Sequence, residues 1–106
     1  MSLPERLPLD EAREKLEEYR VLIDDLDRRI VALLNERTCV VEKIGRVKRE
    51  AQLPIYEPRR EEQVFANITQ ANQGPLAEGA VRRIFERVID EMRTIQRLRM
   101  VSDGDK

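Results

Sequence analysis

Between Leu9 and Glu50 the chain reads LDEAREKLEEYRVLIDDLDRRIVALLNERTCVVEKIGRVKRE, a run without proline in which Gly45 is the only glycine. Apolar residues recur at alternating three- and four-residue steps: Leu16, Tyr19, Ile23, Leu26, Ile30 and Leu33, then, after an interruption at Arg37, Val40, Ile44 and Val47. That spacing follows one face of a 3.6-residue turn and predicts a single long helix, with Asp10 placed to cap it after Pro8. At 1.5 Å per residue, about 40 residues make a rod of roughly 60 Å, about twice the diameter of a small domain. Such a rod cannot fold back on itself, so its apolar stripe has to be covered from elsewhere.

Gln52-Leu53-Pro54 ends the rod, and Pro58 suits the first turn of a second helix running to about Ala71, with Val64, Phe65 and Ile68 inward. Asn72-Gln73-Gly74-Pro75 breaks the chain again. A third helix is expected from about Ala77 to Met100, with Val81, Ile84, Phe85, Val88, Ile89, Met92 and Ile95 on its apolar side. The expected fold class is therefore all-α, a three-helix protomer with one very long helix. Residues 1–8 read as an N-terminal extension, 9–100 as one helical domain, and 101–106 as a disordered tail. The two shorter helices are interrupted and cannot cover the whole stripe of the first, and an exposed stripe of that length is a liability. Pairing two copies along their long helices buries both seams and predicts a homodimer. A plain helical dimerisation or regulatory module would satisfy the same pattern.

Composition narrows the chemistry. The 106 residues carry a formal charge of −1, so no global field attracts nucleic acid or an anionic membrane, and any anion site must be local. Histidine is absent, which removes the commonest metal ligand and neutral-pH proton shuttle; neither metal nor cofactor is expected. Cys39 is the only cysteine, so an intrachain disulfide is impossible; it reads as a structural thiol in a cytoplasmic protein. No segment reaches the ~18 consecutive apolar residues of a membrane span, and Met1 to Pro8 lacks the layout of a signal peptide.

Several charges stand where the pattern calls for apolar or bland residues. Arg37 occupies a position in the apolar series, where a guanidinium must find an acceptor or reach water. Lys48 follows 11 residues later, nearly a whole number of turns, which puts both cations on one face about 16 Å apart. Two long side chains could lean toward one small dianion. On periodicity alone, Arg37 snorkels or pairs with Glu36 or Glu61, and Lys48 is a solvated helix-end lysine. Glu57, Arg60 and Glu61 share one face of the second helix's first turn, where carboxylates also suit the helix dipole. Gln96 is an inward amide that needs partners. Arg20 stands 17 residues before Arg37, about 25 Å along the same rod, so the two cannot grip one small molecule within one chain.

Arg20-Val21-Leu22-Ile23-Asp24-Asp25-Leu26-Asp27, Ala32-Leu33-Leu34-Asn35-Glu36-Arg37, Ile44-Gly45-Arg46-Val47-Lys48 and Leu53-Pro54-Ile55-Tyr56-Glu57-Pro58-Arg59-Arg60-Glu61, followed by Ile95-Gln96, together resemble the AroQ-type chorismate mutase family. The resemblance runs from about Leu9 to Leu98. It implies an intertwined homodimer with two shared sites that convert chorismate to prephenate. By this resemblance Arg20 is the residue lent to the other chain and Arg37 binds a substrate carboxylate within its own. Lys48 contacts a carboxylate and the ether oxygen, and Gln96 contacts that oxygen too. Glu61 and the region of Glu57 hold the ring hydroxyl, while Arg60 helps order the acidic turn and the substrate carboxylate. Glu57 stands where many members have Asp, and Met92 where some have a small polar residue.

The implied chemistry fits these residue types. Chorismate is a dianion whose rearrangement breaks an ether C–O bond as a C–C bond forms, with no proton transfer and no nucleophile. Clamping the reactive conformation and stabilising charge on the departing oxygen suffice. The enzyme rival is isochorismate pyruvate lyase, which resembles the family in fold and cationic site; Glu61, placed for a ring hydroxyl, favours the mutase.

Overall fold

The computed structural model describes the backbone of residues 6–104 and the side chains of residues 6–99. Among the described residues there are three helices and no strand: α1 (Leu9–Glu50), α2 (Pro58–Ala71) and α3 (Glu78–Gly104). The expected all-α, three-helix protomer is what forms. Its ends differ in detail. The Ala12 N–H donates to the Pro8 carbonyl at 2.9 Å, so Asp10 lies inside the first turn. There it acts with Glu11 on the helix dipole instead of capping. α3 continues past Met100 to Gly104, so the segment expected to be irregular is helical over 101–104; Asp105 and Lys106, and residues 1–5 of the expected extension, lie outside the described residues.

The end of α1 is set by a Schellman turn. The Leu53 N–H donates to the Lys48 carbonyl at 2.7 Å and the Gln52 N–H to the Arg49 carbonyl at 3.2 Å, with Gln52 in the left-handed region at φ 57°. These bonds satisfy carbonyls that the helix end would leave open and turn the chain toward α2.

The chain divides into two compact units, residues Met1–Glu36 and Arg37–Lys106. In the first, Leu16, Tyr19, Ile23, Leu26, Ile30 and Leu33 of α1 are all exposed. The second holds the C-terminal part of α1 with α2 and α3, around a small core of Val41, Val81, Ile89 and Met92. Here α1 buries Val41, Gly45 and Lys48, one residue on from the apolar series; Val40, Ile44 and Val47, which continue the stripe assigned to pairing between copies, are exposed. Gly45 faces Gln96 of α3, where an added Cβ would meet the Gln96 Cγ at 3.5 Å, an ordinary van der Waals contact. Ile84, expected inward on α3, is exposed, and Cys39 is exposed too, not an interior thiol. Arg99 on α3 pairs with Glu42 on α1 at 2.5 Å, and the Thr38 hydroxyl reaches the Met92 sulfur at 3.6 Å.

Candidate active site

Within the second unit a cavity of about 380 Å³ is lined by α1, the turn before α2, α2 and α3. That volume falls in the range of small-molecule sites. Its apolar wall includes Val41, Ile44, Val64, Ile89 and Met92. Six of the seven expected site residues line it: Arg37, Lys48, Glu57, Arg60, Glu61 and Gln96. Arg20 is not among the lining residues; it lies in the first unit and is exposed.

Lys48 is the centre of the arrangement. It is only 7% exposed, so the expectation of a solvated helix-end lysine fails. An ammonium so placed must satisfy its three donors locally. It does so with the Ile55 carbonyl at 2.8 Å, a Glu57 carboxylate oxygen at 2.8 Å and Gln96 Oε1 at 3.4 Å. The Schellman turn makes this possible by returning Ile55 and Glu57 to the helix end they have just left. Glu57 occupies the N-cap position of α2 yet makes no side-chain capping bond; its carboxylate is committed to Lys48. Glu57 thus bonds back to α1 instead of capping α2 with its side chain. With Oε1 facing Lys48, the Gln96 amide keeps its NH₂ group as a donor.

Arg37 is partly buried, and neither expected satisfaction through Glu61 nor full exposure is found: Glu61 pairs with Arg93 instead, at 3.6 Å. Burial, and next the positive charge of Arg60, lower the Arg37 pKa from its ordinary value. The guanidinium remains charged near neutral pH, as arginine does in proteins. Folding thus holds a desolvated cation at a cavity wall facing another cation, an arrangement that an anion would relieve. Arg60 itself is exposed and donates to Gln63 Oε1 at 3.4 Å.

Arg93 was not among the residues singled out from the sequence. Its guanidinium lines the cavity, reaches Glu61 and Asp90, and lies over the Tyr56 ring at 5.5 Å. A signal did exist, since Ile89, Arg93 and Gln96 follow one another at i, i+4 and i+7 on one face of α3. The cavity therefore presents Arg37, Lys48, Arg60 and Arg93 against Glu57 and Glu61, an excess of two positive charges. Among the described residues no group of three or more Cys, Asp or Glu is placed to hold a metal ion. Nor, among the described residues, is any helix long and apolar enough to cross a membrane.

Comparison with known proteins agrees with this geometry. The model of the family Chorismate mutase type II matches residues 19–97. The bifunctional chorismate mutase/prephenate dehydratase of Aquifex aeolicus is 34% identical over 88 residues, covering 79% of this chain and 24% of that protein. The chain spans about a quarter of the length of such curated relatives. Among solved structures, Form II of the Thermus thermophilus chorismate mutase is 32% identical with a TM-score of 0.77, over 78% of this chain and 94% of that one. The Helicobacter pylori chorismate mutase in complex with prephenate is 30% identical with a TM-score of 0.73, over 79% and 91%. A match over most of the chain, together with a cavity formed by the expected lysine, arginines, carboxylates and amide, means that this protein belongs to the chorismate mutase type II family.

Proposed function

We propose that the chain is a chorismate mutase, rearranging chorismate to prephenate in the formation of phenylalanine and tyrosine. The observation that carries this reading is the cavity's excess of two positive charges around a buried lysine and amide, which suits a dicarboxylate with an ether oxygen between its halves. The prephenate bound by the Helicobacter pylori relative is of the same chemical class. Arg37 and Arg60 bind carboxylate, for which a planar guanidinium fork is suited. Lys48 and the Gln96 NH₂ group donate to the ether oxygen as its bond to the ring breaks, where stabilisation acts on the transition state more than on the substrate. Of the three Lys48 contacts, the 3.4 Å one to Gln96 is the longest and the most readily exchanged for that oxygen. Glu61 accepts from the ring hydroxyl, with the turn at Glu57 beside it. No cofactor or metal enters the reaction, because the electrons reorganise within one molecule.

The working form in this proposal is an intertwined homodimer of the 9–100 domain in the cytoplasm, in which Arg20 of the partner subunit completes each site. The exposed apolar residues along α1, including Leu16, Ile23, Ile30 and Leu33, support a second copy as their cover. The decisive experiment follows chorismate loss by ultraviolet absorbance and identifies the product. Prephenate supports the proposal, pyruvate would mean the lyase, and no turnover would mean a helical dimerisation or regulatory module. For the shared site, Arg20→Ala and Lys48→Ala chains are mixed and reassembled: recovered activity is expected, and none would end the shared-site model.

A further inference from the structure

Every group assigned so far touches the substrate; Arg93 differs in what holds it and what it holds. Its guanidinium lies over the Tyr56 ring at 5.5 Å and its Nη2 atom is 3.8 Å from Asp90, three residues earlier on α3. Those two contacts orient the planar group. Its Nε is buried without a hydrogen-bond partner, and the acceptor it faces is Glu61 Oε2 at 3.6 Å, across from α3 to α2. The two side chains are 27% and 22% exposed, against 50% or more for both partners of the i,i+4 pairs Lys15–Glu11 and Arg87–Glu91. The Arg93–Glu61 pair is thus less screened than those surface pairs. A glutamate has three side-chain torsions to fix, and a cation held at Oε2 limits them while leaving Oε1 as an acceptor.

We propose that Arg93 is a positioning residue: it holds the Glu61 carboxylate in the orientation that receives the substrate's ring hydroxyl, and so contributes to selecting a hydroxylated ring. This role rests on the mutase reading above. The hydroxyl contact exists in substrate and transition state alike, so its loss raises KM more than it lowers kcat. Steady-state kinetics of the full chain with chorismate, comparing Arg93→Met, Arg93→Lys, Glu61→Gln and the Arg93→Met/Glu61→Gln double variant, tests it. Arg93→Met raises KM about tenfold with kcat within about twofold, Arg93→Lys recovers most of the loss, and in the Glu61→Gln background Arg93→Met adds less than about twofold. Arg83→Met, at an exposed arginine earlier on the same helix, leaves both constants unchanged. Melting curves at matched protomer concentration accompany each variant, and Arg93→Gln replaces Arg93→Met if the latter does not fold. Multiplicative losses in the double variant, or a fall in kcat at constant KM, would overturn the positioning role while leaving the mutase reading intact. A folded wild-type chain without turnover would overturn that reading and this role together.

Discussion

Replacing Arg37 by methionine should move stability and activity in opposite directions. The side chain is partly buried, its charge is desolvated, and the neighbouring charge that acts on it is the like charge of Arg60. A pKa lowered by these causes means that folding penalises the protonated form. Arginine is protonated in both folded and unfolded chains at working pH, so the native state carries the penalty throughout that range. Methionine keeps a stem of similar length and removes the charge. Replacing buried charged groups by apolar residues of similar volume gains as much as 1–4 kcal/mol; for a group that water still reaches, about 1 kcal/mol is the discounted expectation. For a domain of this size that raises the melting temperature by roughly 4–8 °C at matched protomer concentration. Catalysis should fall, because a charge-assisted bond to the substrate carboxylate is lost; about 3 kcal/mol corresponds to a decrease in kcat/KM on the order of 100-fold. Urea unfolding followed by circular dichroism, beside chorismate kinetics, measures both. A variant less stable than wild type by about 1 kcal/mol or more would show Arg37 to be a structural element, and one with undiminished kcat/KM would remove it from the substrate.

Three further substitutions follow from the same geometry. Lys48→Ala should lower kcat by about 10²–10³, as loss of a donor to a developing oxyanion does, and near-normal turnover would refute its role at the ether oxygen. Gly45→Ala should be neutral to stabilising by up to about 1 kcal/mol, since the new Cβ meets the flexible Gln96 Cγ at an ordinary 3.5 Å while helix propensity improves; a urea midpoint shifted downward would show the α1–α3 approach to be tighter than that. Gln52→Gly should stabilise by about 0.5–1 kcal/mol by relieving a left-handed backbone at φ 57°, and destabilisation would mean that the flexibility gained by the unfolded chain outweighs the relief.

The helices were legible because their limits are local. Pro58, the Gly74-Pro75 break and the proline-free run from Leu9 act through backbone sterics that need no distant partner, and α1 and α2 end where the pattern says. The grouping of Arg37 with Lys48, and of Glu57 with Arg60 and Glu61, was legible from helical period, and all five line one cavity. Family resemblance was needed to give them roles, since each has an ordinary surface or capping explanation when considered alone. Which face of α1 turns inward was not legible. Val40, Ile44 and Val47 repeat as regularly as Val41, Gly45 and Lys48, and only the contacts that Lys48 makes with Ile55, Glu57 and Gln96 mark the second set as the inward one. Lys48 looked like a solvated end of helix because the groups that satisfy it, Ile55, Glu57 and Gln96, come from a turn and a helix that local sequence cannot place. Arg93 was passed over for the same reason: its tie to Glu61 joins two helices, and a pairing across helices exists only once they have packed. Local propensity and period are written along the chain, whereas desolvation and the meeting of charges depend on distances between segments, which tertiary packing alone determines.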